Sequence, residues 1–447
     1  MAKVTNLTLR HKLAYKIFIR NYTEAGTFQA VIPDLARLKA LGVDILILAS
    51  IFPVTDQHPE GEVGNPNFVK NFKDVDPSYG TMEDFKDLVH AVHQAGIQLV
   101  IEFPMTQLAK DSEVIQDRPT YFLRNKEGQV YTRFPGYEKG VDLDFSNPKL
   151  WDELIATLKE WALYVDGFSI RDAQLIRTEF WNSARAEVED VHPYFYWMGN
   201  LLTDTTMFRL RMNNVHYSTE GELYSNFDVL DEGNLAEFYL RFYHGILDLD
   251  NLIYVLNLSE IQLPFTAVKN RALEFANHPR VASHVKTKAD LRNWTAFSLF
   301  KKGMAHLIMG QEYGLTDSIP WDKAESMDWT PNEDMTEMIQ RLSLIKKREA
   351  CKSGYFFYRG VKPNIIICGY HYYKQHLFGI FKLKTDDQTP CEVELSLPSG
   401  DYTNLLNDDT YTVTDGRLCL GQDPVIISYE GDMEVQVNSQ ANDFLIH

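Results

Sequence analysis

The constraint that most narrows what this chain can fold into is a repeated alternation. Short apolar runs are separated by stretches with apolar residues at every third or fourth position. Residues 44–50, DILILAS, are apolar on both faces, as strands of a parallel sheet covered on both sides must be. Before them, Ile32, Leu35 and Leu38 form one stripe of a helix predicted over 27–41, with Gly42 as its stop. After them, Thr81 with Asp84 predicts a capped helix start, Phe85, Leu88, Val89 and Val92 its buried face, and Gly96 its end before a strand over 97–103. Further strands are predicted over 14–22, 194–198, 225–230, 271–275 and 306–309, with helices around 180–188, 235–247, 288–301 and 335–348.

An eighth strand stretch completes the pattern. Residues 165–173, VDGFSIRDA, follow a helix predicted over 148–163, whose stripe is Leu150, Leu154, Leu158 and Trp161 and whose start is marked by Asn147 and Pro148. Eight strands alternating with helices predict an α/β chain built as a (β/α)8 TIM barrel over residues 1–351. An aperiodic insertion, about 108–140, follows the third strand. From 352 to 447 the pattern changes to IIICGYHYY, LFGIFKL, CEVELSL and PVIISYE, separated by turn residues such as Pro398-Ser399-Gly400. That predicts an antiparallel β-sandwich.

Residues 140–173, GVDLDFSNPKLWDELIATLKEWALYVDGFSIRDA, resemble the α-amylase family of glycoside hydrolases, a family 13-like barrel whose fourth strand reads Gly-Phe-Arg-x-Asp-Ala. The resemblance extends to the carboxy-terminal DYTNLLNDDTYTV and PVIISYEG, and implies a small domain over the cleft at the insertion. It also exposes departures. Alignment on Gly167-Phe168 sets Arg171 at the family's Asp nucleophile and Ser169 at its Arg. The fifth strand's Gly-Glu, the general acid, is Gly199-Asn200. The seventh strand's Glu-Asn-His-Asp-x-Pro-Arg, aligned on Pro279-Arg280, sets Asn277 at the third carboxylate. In the third strand Asp-x-x-x-Asn-His becomes Glu102 through Thr106 and Gln107, so Thr106 replaces a residue that often ligates calcium in the family. The sugar-stacking Tyr and the Asp of another family motif align with Asn67 and Asn71 in GNPNFVKNF.

Retaining glycosidases use a carboxylate nucleophile and a second carboxyl group roughly 5–5.5 Å away as acid/base. An amide releases no proton near neutral pH and a guanidinium stays charged, so Arg171, Asn200 and Asn277 cannot take these roles. The expected cleft comprises Asn67, Asn71, Thr106, Gln107, Arg171, Asn200, Asn277 and His278. Three relocated carboxylates are weighed against bland readings. Asp172, one residue past the nucleophile position, is expected to face the helices, because a one-residue shift turns a strand side chain over, unless a bulge re-aims it. Glu222, after Gly221, is expected on a surface or loop, and Glu102 is read equally as cleft carboxylate or partner of Arg171. His278 and the run Tyr194 to Trp197 read as packing, and His192 and His216 lack metal-ligand spacing.

Three functions follow as expectations: a non-hydrolytic pseudoenzyme binding an α-glucan, oligosaccharide, other small polar ligand or protein partner; an active hydrolase or transglycosylase using Asp172, Glu102 or Glu222; or an assembly subunit like transporter heavy chains. No cofactor or metal is implied. The net charge of −18 disfavours nucleic acid. Cys351, Cys368, Cys391 and Cys419 lack any Cys-x-x-Cys spacing and read as reduced. MAKVTNLTLRHK has no apolar core of signal-peptide length, and no apolar window of about 18 residues occurs, which predicts a cytoplasmic protein without a membrane span.

Overall fold

Eight parallel strands close on themselves in sequence order in the computed structural model: β1 Leu13–Ile17, β2 Ile45–Leu48, β3 Gln98–Phe103, β4 Gly167–Ile170, β5 Tyr196–Gly199, β6 Val229–Leu230, β7 Val268–Ala272 and β8 Met304–Ile308. The structure describes residues 5–55, 62–133, 140–272, 283–361, 363–385 and 391–433. Side chains alternate across each strand. Ala14, Ile45, Ile47, Val100, Tyr196 and Val268 meet in one interior cluster, whereas Phe168, Leu46 and Leu99 pack outward against the helices. Two residues beyond the interior apolar layer the same rows carry Lys16, Glu102, Asn270 and His306, all on the inner face. The barrel is thus apolar at its base and polar toward the carboxyl ends of its strands.

The helix signals hold where caps are explicit. Thr81 and Asp84 form a reciprocal capping box at the start of Met82–Gln94, and Asn147 accepts from the Lys149 amide at the start of Pro148–Trp161. Elsewhere the chain corrects the expectation. The first strand stops at Ile17, and Ile19–Tyr22 is a helical turn. The single helix expected over 27–41 is Phe28–Val31, a 3-10 turn Ile32–Asp34, and Leu35–Leu41, because Pro33 has no amide hydrogen to continue the ladder. The seventh strand starts at Val268 rather than 271; its polar residues Lys269 and Asn270, on opposite faces, concealed it. Helices Asp204–Met212 and Leu249–Ile261 were not anticipated. Inside the insertion, Gln107–Ala109 pairs antiparallel with Gly140–Asp142, a hairpin closure across residues far apart in sequence.

The carboxy-terminal strands are β9 Tyr355–Val361, β10 Ile365–Tyr372, β11 Gln375–Lys382, β12 Cys391–Glu394, β13 Gly400–Thr403, β14 Thr410–Thr414, β15 Arg417–Leu420 and β16 Val425–Glu430. They form two four-stranded antiparallel sheets, ordered β9-β10-β11-β16 and β12-β15-β14-β13. Ile367, Phe378 and Ile427 from one sheet and Val393, Val413 and Leu418 from the other share one core. The sandwich is fastened to the barrel through helix Lys288–Phe300: Trp294 Nε1 donates to the Leu383 carbonyl (2.9 Å), and Asn293 Oδ1 accepts from the Lys382 amide (2.8 Å). Beside this junction Glu232 lies buried, accepting from Lys301 Nζ (2.8 Å to Oε2) and Arg271 Nη1 (2.6 Å). All four cysteines are free thiols, Cys351 and Cys368 buried and Cys419 exposed.

Candidate functional site

The strand ends gather the polar residues at one mouth. Pairing continues past the strands themselves, since the Arg171 amide donates to the Phe103 carbonyl (3.0 Å) and the Asn200 amide to the Ile170 carbonyl (3.0 Å). Arg171 therefore keeps the inner register of Gly167 and Ser169, and Asn200 that of Tyr196 and Met198. At the centre is Glu102, nearly buried, which pairs with Lys16 of β1 and stands 3.8 Å from Arg171 Nη1. Burial pushes its carboxyl up, but Lys16 and then Arg171 outweigh that and hold it below the ordinary glutamate range. One carboxylate thus organises two cations.

Asp172 does not extend the strand. Its backbone is left-handed (φ 51°, ψ 39°), so the alternation that would send its side chain to the helices no longer applies. The carboxyl is half-buried and sits within the field of the same cluster: burial raises it, Arg171 partly offsets the rise, and Glu102 adds to it. This turn breaks the strand alternation on which the expectation of a helix-side partner rested. Arg171 thus serves both carboxyl groups, lowering Glu102 and only partly offsetting the rise of Asp172.

His306 lies on the inner face of β8, the strand paired with the Lys16 strand β1, and so adjoins this cluster. Its Nδ1 lies within hydrogen-bond distance of the Asn270 amide group, and burial together with Lys16 pushes the imidazole down to about 3, against the opposing pull of Glu102. A depressed folded value means the ring is neutral in the folded protein across the physiological range. Stability linked to it rises with pH between about 3 and the ordinary 6.5 and is flat above. The His306 C2 proton should show no titration between about pH 5 and 8 by NMR, and a midpoint near the ordinary value would contradict the placement.

Asn200 Nδ2 donates to Asp231 Oδ2 (3.0 Å), whose other oxygen accepts from the Leu201 amide (3.0 Å) and the Gly233 amide (3.1 Å). Asp231 went unnoticed in the sequence, though it directly follows the β6 residue Leu230, the position where barrel sites are built. Its amide contacts leave it an acceptor that orients Asn200.

The remaining candidates separate. Glu222 is the third residue of the helical turn Glu220–Leu223, and its Oε2 accepts from the Thr219 amide (2.7 Å) and hydroxyl (2.9 Å); it is a capping residue leading into β6, outside the cluster around Glu102. Asn71 Oδ1 accepts from the Lys73 and Asp74 amides, and its side chain lines a pocket outside the barrel wall rather than the mouth. Asn67 is half-buried in a turn, where its amide donates to Asn65 Oδ1 (2.9 Å). Asn277 and His278 lie outside the described residues. Tyr194, read as packing, is 89% exposed, while Phe195, Tyr196 and Trp197 are buried as expected.

Thr106 and Gln107 belong to the insertion's closure. Gln107 Nε2 donates to Asp142 Oδ1 (2.6 Å) and to Thr132 Oγ1 (2.6 Å), and Asp142 Oδ2 accepts from the Arg133 amide (3.0 Å) and Nε (2.7 Å). Both oxygens of this fully buried carboxylate are thus occupied by amide and guanidinium donors, the Coulombic and hydrogen-bonding task a bound cation would perform. Among the described residues no group of three or more His, Cys, Asp or Glu is placed to hold a metal ion. Adding EDTA should leave the melting temperature unchanged; a fall of several degrees reversed by calcium would overturn this account.

No helix among the described residues is long and apolar enough to cross a membrane. Residues 16–153 match the family model "Alpha amylase, catalytic domain", and residues 357–427 match "Bacterial Alpha amylase C-terminal domain". A Pseudomonas aeruginosa protein named "Alpha-1,4-glucan:maltose-1-phosphate maltosyltransferase" is 27% identical over 252 residues, covering 50% of this chain but only 37% of its own length. The Bacillus subtilis protein named "Probable oligo-1,6-glucosidase 2" is 23% identical over 79% of this chain and 71% of its own. Among solved structures, an α-amylase from Lactobacillus plantarum superposes with a TM-score of 0.91 at 28% identity, covering 95% of this chain and 100% of that one.

Proposed function

This chain belongs to the α-amylase family, and on that premise we propose that it binds an α-glucan, an oligosaccharide or another small polar ligand at the barrel mouth without hydrolysing it. The observation that carries the reading is the pairing of Arg171 with Glu102, itself held by Lys16, at the position aligned with the family nucleophile. A fixed positive charge there opposes the cationic, oxocarbenium-like transition state of glycoside cleavage, and a guanidinium cannot attack the reacting carbon. Asn200, at the acid position, donates to Asp231 and has no proton to give a leaving group. In sequence alignment Asn277 falls at the third carboxylate. The ligand class follows the names of the relatives, an α-1,4-glucan maltosyltransferase, a probable oligo-1,6-glucosidase and an α-amylase.

Titration calorimetry with maltotriose, alongside a reducing-sugar assay, tests this reading: saturable binding without turnover supports it. Absence of binding to maltose, maltotriose and longer α-glucans would remove the ligand half of the proposal. A second reading is favoured by Asp172, whose carboxyl is raised by burial and by Glu102, so that two carboxyl groups held at different affinities stand in one electrostatic cluster. Robust turnover abolished by Asp172→Ala or Glu102→Gln would select that rearranged active site.

A further inference from the structure

Helix Leu249–Ile261 is apolar on two opposite sides, which a surface helix packed on a single core does not require. Leu249, Leu252 and Leu256 are buried on the side that faces the core. At 3.6 residues per turn, Tyr254, Leu258 and Ile261 fall on the far side. There Tyr254 is 54% exposed and Ile261 77%, and Phe265, just past the helix end, is 62% exposed. Positions 254, 258, 261 and 265 follow one another at intervals of four, three and four, the spacing by which one helix offers a seam to another.

The seam is poor in charge. From Asn251 to Phe265 the sole charged residue is Glu260, in a chain of which 24% is charged. Its carboxylate is turned away to the buried Arg271 and stands 3.9 Å from Lys302. The helix is also held in place, since Asn257 Nδ2 donates to the Tyr358 carbonyl of β9 (3.4 Å), so covering it orders little new backbone.

Area and charge together select the partner. Aromatic side chains bury about 150–250 Å² each, so the open fractions of Tyr254 and Phe265, with Ile261 and Leu258, offer roughly 400 Å² of apolar surface. Doubled by a two-fold axis and rimmed by polar groups so that about 65% is apolar, the contact reaches roughly 1,200 Å², the lower limit of stable association. Two copies of net charge −18 repel least where the surface between them is uncharged, and antiparallel pairing opposes their helix dipoles. We infer that the face of Tyr254, Leu258, Ile261 and Phe265 docks on the same face of a second copy of this chain, the two helices antiparallel about a two-fold axis, in a weak and reversible homodimer.

Sedimentation of the whole chain from about 1 to 200 µM tests this. The mass should rise from 51.6 kDa toward twice that value and stop there. Raising salt from about 0.1 to 1 M should not dissociate the dimer, because screening relieves the repulsion and leaves apolar burial intact. Ile261→Asp and Tyr254→Lys should each weaken association about tenfold or more, whereas Phe208→Asp, at a side chain 65% exposed on another helix, should leave it unchanged. Should one seam variant lose its fold by circular dichroism, the other decides. A monomer throughout, mass climbing past the dimer, dissociation by salt, indifference to both seam variants, or an equal loss in Phe208→Asp would each overturn the inference.

Discussion

Purified protein should release sugar from maltotriose and nitrophenyl α-glucoside at rates near background, and neither Arg171→Asp nor Asn200→Glu alone should raise them appreciably. The expectation rests on how glycosidase chemistry divides its work. A general acid contributes about 10²–10⁴ in rate, and the nucleophile and charge stabilisation act with it as one unit, so restoring a single member leaves the others' deficits in place. At the end of β4 the deficit is larger than a missing carboxylate. Arg171 is cationic and shares Glu102 with Lys16, so Arg171→Asp would also set a new carboxylate beside Glu102 and Asp172, raising at least one of them toward protonation. Only the combined change Arg171→Asp, Asn200→Glu and Asn277→Asp has the three groups. Initial rates by reducing-sugar assay, with Asp172→Ala, Glu102→Gln and Glu222→Gln as controls, decide it. Wild-type turnover lost on one of the first two controls would replace the proposed function with the rearranged site, and Glu222→Gln should change nothing beyond a slightly weaker helix cap.

The largest effect on stability should come from Glu232→Gln. Lys301 and Arg271 are essentially inaccessible, and Glu232 is the carboxylate common to both. Removing one partner of a buried ionic group leaves the others charged in a poor solvent, at a cost of about 3–5 kcal/mol. Burial raises the Glu232 carboxyl, but Lys301 and Arg271 outweigh it and the folded value is lowered. Its stabilisation is therefore present above the ordinary carboxylate range and is lost as pH falls through the lowered folded value, so wild type and variant should converge in acid. Lys301 has the opposite bias for a base. Burial exceeds the pull of Glu232 and brings the ammonium down to about 8 from 10.5, so its linked stability rises as pH climbs between those values. Urea denaturation of both proteins at neutral and acid pH measures this; a loss below about 1 kcal/mol at neutral pH would show that water reaches the cluster.

What the chain determined by itself was element type and order. Ile45 to Leu48, apolar on both faces, reads as a strand covered on both sides, and Thr81 with Asp84 reads as a cap, because burial period and capping act over a few residues. By the same token Arg171 and Asn200 were placed at strand ends from sequence, and the β4–β5 register carries both. Local pattern faltered where one residue overrode it: Pro33 broke a helix, and polar Lys269 and Asn270 hid the start of β7.

The partners were decided only by closure of the barrel. Lys16, Glu102, Arg171 and His306 come from four strands, and nothing within a few residues of any of them says that they meet. Glu102 stood evenly between cleft carboxylate and partner of Arg171 until β1 and β4 were brought beside it. Asp172 was taken out of the strand alternation by a left-handed backbone that no sequence pattern foretells, and Asp231 acquired its meaning from Asn200 on the neighbouring strand. Period and caps are local and legible in one dimension; charge pairing is a property of distance in three, and only the folded barrel sets those distances.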